Sequence, residues 1–183
     1  MNNLYKKVIY IVLPFLLFIS CKSTGQNTAK KEALNDKLIY AAREIMTAAG
    51  TCALITLDEN NRTMVRTMDP FPPETGLTVW LGTHPKSRKV AQIKNNPKVT
   101  LYYLDSDASG YVVIHGTAQL VADQKEKEKR WKEEWKTFYP NPSEDYILIK
   151  VTPERMEIIS ETRGILGDPE TWKPPVVVFD PEK

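Results

Sequence analysis

Residues 83–97 read Thr-His-Pro-Lys-Ser-Arg-Lys-Val-Ala-Gln-Ile-Lys-Asn-Asn-Pro. This stretch turns a strand into a helix. Ahead of it, Leu77–Gly82 (LTVWLG) has the composition of a strand. Within it, Ser87–Asn95 has helical spacing through Val90 and Ile93 and stops at Asn96-Pro97. Ser87 is a good N-cap, which puts Arg88 and Lys89 in the first turn. Cations there oppose the helix macrodipole, at a cost of roughly 0.3–1 kcal/mol. Lys86 adds a third charge beside them. Such a corner suits an anion, held by free helix N–H groups and by charge-assisted bonds. The competing reading is a solvated turn with ordinary surface charges. Arg66, in Thr63–Met68 (TMVRTM), favours the anion. Its strand is expected to pair beside Leu77–Gly82 in an antiparallel barrel, so that Arg66, Thr83, Arg88 and Lys89 converge on one phosphate.

Working outward, Thr51–Leu57 and Arg62–Met68 flank the polar turn Asp58-Glu59-Asn60-Asn61 and read as a hairpin. Asp69–Gly76 is a proline-rich loop. Val99–Leu104, the turn Asp105–Gly110, and Tyr111–Val121 supply two more strands, with Gly116 marking a bulge or bend. Ala122–Phe138 reads as a charged helix with Trp131 and Trp135 forming a ridge at i, i+4. Tyr146–Val151 and Arg155–Ile159 read as a closing strand pair joined by Thr152-Pro153-Glu154. Near the start, Ala33–Ala49 is an amphipathic helix carrying Leu34, Leu38, Ile39, Ile45 and Met46, closed by Gly50. About seven short strands with two or three helices make the chain mainly β, in the α+β sense. An antiparallel barrel or sandwich is favoured over a parallel sheet. Trp80 and Tyr111 are candidates to border a planar ring, with core packing the more ordinary use of Trp80.

The N-terminus reads as a targeting segment. Lys6 and Lys7 precede the apolar run Val8–Ile19, whose 12 residues suit a secretory signal. A membrane span needs about 20. Phe18-Ile19-Ser20-Cys21 resembles a lipobox. The resemblance implies removal of residues 1–20, lipidation of Cys21, and a lipoprotein held to a membrane of the cell envelope, with the periplasmic side expected. An uncleaved anchor is the alternative. Residues 21–33 are expected as a flexible tether, 34–160 as the folded domain and 161–183 as a proline-rich tail lying against the domain or a partner subunit. The full chain holds 25 basic and 23 acidic residues, and without residues 1–20 the two balance. That balance argues against nucleic acid as a partner. With Cys21 lipidated, Cys52 is the one remaining thiol, in the apolar run TCALITL, and is expected as a buried small hydrophobe. No Cys/His cluster suggests a metal.

These segments carry a resemblance. The order is a hairpin with Arg66 before Met68, a strand ending in Thr83, SRK opening a helix that ends in NNP, the strand VTLYYLD and the Gly-bearing strand YVVIHGTAQL. Two tryptophans, FYP and ILIKVTPERMEII follow. The pattern is similar to the split barrels of the pyridoxamine 5'-phosphate oxidase-like family, the general stress protein 26 group in particular. The resemblance runs from about Leu34 to Ile159. It implies a six- to seven-stranded antiparallel split β-barrel with flanking helices, binding flavin mononucleotide (FMN) at the interface of a homodimer. It implies that Arg66 and Lys89, with Arg88 and Ser87 beside them, hold the phosphate. Thr67 and Met68 would offer strand backbone to the isoalloxazine edge. Gly82 and Thr83 would line the ribityl-phosphate, and Tyr111 would reach the flavin from the next subunit.

The true oxidases of this family carry a second Lys where Asp69-Pro70-Phe71 stands here, and an Arg-x-His pattern where Ser160–Gly164 has no His. Oxidation of pyridoxamine phosphate is therefore not expected. No acid–base dyad is visible, and catalytic residues stay unassigned. His84 and His115 have no motif. The leading expectation is an FMN-dependent oxidoreductase of unknown small-molecule substrate. The alternatives are a non-catalytic flavin-binding lipoprotein, a deazaflavin protein, and a haem protein, the last lacking any His after His115.

Overall fold

The computed structural model describes residues 22–180. The expected signal segment and Cys21 lie outside the described residues. The chain divides into two units, residues 1–34 and 35–183. Helix α1 spans Lys22–Ala49. Residues 22–33, expected as a flexible tether, are thus helical. Their polar character hid a run of good helix formers, Ala29-Lys30-Lys31-Glu32-Ala33. No described helix is long and apolar enough to cross a membrane.

The remaining elements are β1 (Cys52–Leu57), β2 (Thr63–Met68), β3 (Val79–Thr83), α2 (Arg88–Asn95), β4 (Lys98–Leu104), β5 (Gly110–Val121), α3 (Gln124–Lys129), α4 (Pro142–Asp145), β6 (Ile147–Ser160) and β7 (Val176–Val178). The sheet order is β2-β1-β4-β5-β6-β3, with β7 also on β6. Every pairing is antiparallel. The sheet curls into the expected split barrel. The β1–β2 hairpin forms because Asp58 closes its turn, Oδ1 accepting from the N–H of Asn60 and of Arg62, both at 2.9 Å.

Alternation along the strands fills the barrel. Leu54, Leu101, Ile114, Ile149 and Met156 face inward with no exposed surface. Leu38, Ala42, Ile45 and Met46 of α1 belong to the same core. A second cluster, Trp80, Trp135, Tyr146 and Leu148, covers the outer side of β3 and β6. Trp131 and Trp135 do meet, edge to face at 6.4 Å. The helix expected over 122–138 does not run through, however. α3 ends at Lys129, and Glu133–Thr137 forms a separate 3-10 turn. The break coincides with Arg130, which is buried, stacks 3.7 Å above the Trp80 ring and pairs with Glu74 and Glu126. Tertiary anchoring of one arginine outweighs helix propensity here.

Two further readings change at β6. The segment Thr152-Pro153-Glu154 is no turn, and Tyr146–Val151 with Arg155–Ile159 are not a pair of strands. One strand of 14 residues runs through. Its register against β5 shifts between His115 and Gly116, so Gly116 faces Pro153 while His115 faces Arg155. The bulge absorbs a proline that has no N–H to give. Gly116 is required there, because a Cβ would fall 2.2 Å from the Thr152 carbonyl oxygen. Gly116 thus marks the bulge its sequence context suggested. The seventh strand comes instead from the tail. Val177 of β7 is buried opposite Met156, while Val178 is 72% exposed.

The alternation at this edge sets an expectation. Met156→Ala should cost about 2–5 kcal/mol of stability by opening a cavity. Val178→Ala on β7 should change stability by no more than about 0.5 kcal/mol. Chemical denaturation midpoints of the two variants check both.

Candidate functional site

Among the described residues, β2 pairs along its length only with β1, and β3 only with β6. The expected β2–β3 pairing is not a strand ladder. The two meet at a single bridge, Pro70 to Leu81, beside which the Phe71 N–H donates to the Trp80 carbonyl at 2.9 Å. Pro70 has no N–H to extend it. On the Arg66–Met68 side of that bridge the barrel seam stays open. Backbone donors and acceptors of β2 facing the seam have no strand partner among the described residues, and such groups suit a ligand.

A cleft of about 230 Å³ opens here, lined by Thr67, Met68, Gly82, Thr83, Lys89 and the aromatic residues Trp135, Phe138 and Tyr139. Gly82 has to be glycine, since a Cβ would lie 2.6 Å from the Trp135 ring and 2.8 Å from that of Tyr146. Asp69 also lines the cleft, but its carboxylate takes both bonds from Lys132, at 2.7 and 2.8 Å.

At the helix end of the cleft, Lys89 Nζ donates to Thr83 Oγ1 at 3.1 Å. The Ser87 hydroxyl also turns to Thr83 Oγ1, at 3.1 Å. Ser87 has N-cap backbone angles but makes no side-chain cap bond. The expected cap is therefore present in the backbone only. In the first turn the Val90 N–H donates to the Ser87 carbonyl at 3.0 Å, while those of Arg88 and Lys89 have no acceptor inside the helix.

The cations do gather. Burial pulls the Lys89 ammonium below its ordinary pKa, and the nearby charges of Arg66 and Arg88 push it the same way. Arg66 is likewise lowered by burial and then by Arg88. Among the described residues, none of Arg66, Arg88 and Lys89 forms an ion pair with a carboxylate. Arg66 is instead held by neutral groups. Its Nη1 donates to the Leu54 carbonyl at 3.3 Å and to Thr56 Oγ1 at 2.7 Å, and its Nη2 donates to Gln92 Oε1 at 2.9 Å.

Tyr111 stands apart from this cluster. Its ring stacks on Tyr102 at 5.8 Å on the half-buried outer face of β4 and β5. Trp80 is buried in the second cluster, the packing use expected for it. Cys52 is buried and free, as its apolar context suggested, and burial pushes its thiol up to about 11. His115 shares the outer face of β5 with Tyr111 and Val113, its Nδ1 3.1 Å from Thr100 Oγ1. His84 accepts the Lys86 N–H at Nδ1 and points Nε2 toward Asp145, 3.6 Å away. Residues the sequence reading passed over are Gln92, Thr56 and the aromatic wall. The available signal for Gln92 was a polar residue between Val90 and Ile93 on the apolar side of α2.

The described residues form an antiparallel split barrel with a cluster of cations, none paired with a carboxylate, beside its open seam. The chain belongs to the family described as pyridoxamine 5'-phosphate oxidase like, whose profile matches residues 38–165. The fold is shared with the general stress protein 26 of Bacillus anthracis, at 22% identity and a TM-score of 0.62, over 78% of this chain and 98% of that one. It is shared with a pyridoxamine 5'-phosphate oxidase-related, FMN-binding protein of Nostoc punctiforme, at 14% identity and 0.56, over 82% and 96%. A heme-binding protein of Mycobacterium smegmatis is also similar, at 15% and 0.52, over 64% and 52%. No curated protein matches the chain.

The cluster makes a stability statement. In the folded protein Lys89 sits below its unfolded pKa, so its charged form is disfavoured by folding. That penalty is complete at neutral and acid pH and shrinks as pH rises through the folded value. Lys89→Met keeps the stem, and is expected to stabilise the ligand-free protein by roughly 0.3–1 kcal/mol, the scale of a cation opposing a helix N-terminus. Inorganic phosphate should raise the melting temperature of the parent and leave the variant unmoved. Thermal unfolding with and without phosphate checks this. A destabilised variant, with phosphate inert toward both, counts against an anion site.

Proposed function

We propose that this protein binds FMN at the open seam, its phosphate on Arg66, Arg88 and Lys89, and acts as an FMN-dependent oxidoreductase on a small molecule. The carrying observation is that Arg66 and Lys89 are partly buried near Arg88 while no carboxylate among the described residues pairs with any of the three. A phosphate monoester supplies the missing charge. Thr83 and Gly82 flank the corner, and the unpaired edge of β2 at Thr67 and Met68 is suited to hydrogen-bond the rim of a planar ring. FMN, when bound, supplies hydride chemistry at its ring, and the chain's residues orient it and exclude water.

The ligand would be completed by a second copy. A cleft of about 230 Å³ is smaller than typical small-molecule sites, which run from roughly 300 to 1,000 Å³. The outer sheet face beside it exposes Val65 and Leu104, at 63% and 51%. A homodimer that covers this face would bring Tyr111 of the partner subunit toward the flavin. Attachment to an envelope membrane through a lipid on Cys21 remains part of this proposal.

A second reading, flavin carriage or sensing without catalysis, draws on Asp69. Among the described residues, the one carboxylate lining the cleft is committed to Lys132, which leaves no free carboxylate there to act as a base. Haem has less support, because no histidine lines the cleft.

Protein beginning at Lys22, mixed with FMN, should acquire the absorbance of bound flavin and quench its fluorescence. Arg88→Ala with Lys89→Ala should weaken binding by about tenfold or more, since bonds to charged groups each contribute roughly 1.5–3 kcal/mol. Turnover with a nicotinamide donor separates the oxidoreductase from the carrier. Absence of any flavin uptake, or a Soret band on haem addition instead, removes the proposal. In the full chain, Cys21→Ser should shift the protein from the membrane to the soluble fraction.

A further inference from the structure

Arg66 is held in an unusual way for a half-buried arginine. A guanidinium has five N–H donors and commonly pairs with a carboxylate. Here both Nη1 donors go to neutral oxygens, the Leu54 carbonyl and Thr56 Oγ1, and one Nη2 donor goes to the amide oxygen of Gln92. Thr56 Oγ1 in turn donates to the same Gln92 oxygen at 2.7 Å. Thr56 is 1% exposed and Gln92 is 8% exposed, so this pair is built into the protein interior. Because Thr56 and Gln92 touch each other, they occupy the end of the guanidinium. The Nε–H and one Nη2–H remain on its side. Those two parallel donors form the fork that matches a phosphate or carboxylate.

The choice of acceptors also matters for charge. A glutamate at 92 would hold Arg66 as well or better, and would cancel its charge. Gln92 and Thr56 orient the group and leave its charge whole, beside Lys89 and Arg88. We propose that Gln92, with Thr56, is the positioning pair that keeps Arg66 forked and charged, and that the neutral amide at 92 makes the site select ligands ending in a phosphate monoester over the same ligand without it. The inference rests on the flavin-site reading above, and deepens it by assigning the phosphate preference to two residues that do not themselves reach the ligand.

The test uses the full chain, its Gln92→Glu variant and its Thr56→Val variant, each titrated with FMN, with riboflavin and with inorganic phosphate. Gln92→Glu should lower FMN affinity by about tenfold or more, leave riboflavin affinity unchanged and leave the melting temperature no lower than the parent's. Thr56→Val, which loses an acceptor and adds no charge, should show a smaller loss confined to FMN and phosphate. Gln92→Glu binding FMN as tightly as the parent overturns the proposal. So does a parallel loss of FMN and riboflavin, which marks a structural role. Should Gln92→Glu not fold, undiminished FMN affinity in Thr56→Val overturns it instead. If the parent binds neither flavin, the flavin reading fails, and phosphate then decides. Phosphate bound by the parent and lost in the variants keeps the positioning pair for another phosphorylated ligand. Phosphate bound by none of them overturns both.

Discussion

Unneutralised positive charge at the open seam is the constraint around which this structure is arranged. Burial, and then the positive charges beside them, lower the basicity of Arg66 and Lys89, and no carboxylate among the described residues pairs with either of them or with Arg88. A protein gains nothing in stability from such a corner, because like charges at a helix N-terminus raise the energy of the folded state. The surrounding interactions keep it in place. Neutral oxygens fix Arg66, and Thr83 accepts from Lys89.

The rest of the fold serves the seam. Pro70 limits β2 and β3 to one bridge, which keeps the barrel from zipping shut beyond it. The bulge of Gly116 against Pro153 lets β6 run unbroken from the β3 side of the barrel to the edge that takes β7. The aromatic cluster presses Trp135 onto Gly82 so closely that only a glycine fits, and both residues line the cleft. Packing on the outside of β3 and ligand space at its end are thus set by one tryptophan. Arg130, stacked on Trp80, fixes the segment that carries it.

Much of this was legible in the residues because local chemistry dictated it. Asp58 to Asn61 can hardly be anything but a turn, and the SRK corner announces its charge. Gly116 in an otherwise apolar strand pointed to a bulge. Pro153 misled, since a proline ordinarily ends a strand, and only the partner strand shows that a bulge accommodates it. The helix over 122–138 failed for a long-range reason, the burial of Arg130 against a residue 50 positions earlier. β7 was too short and too close to prolines to register. Gln92 and Thr56 look like routine polar residues until Arg66 is seen between them. Convergence of Arg66 with the helix corner was expected from a β2–β3 ladder; the structure achieves it without that ladder.

The most direct test of this account is a crystal structure of the protein grown with FMN. The account expects phosphate density within hydrogen-bonding distance of Arg66, Arg88 and Lys89, at the mouth of the seam and close to Thr83. Phosphate density elsewhere, with these three side chains directed into bulk solvent, would contradict it.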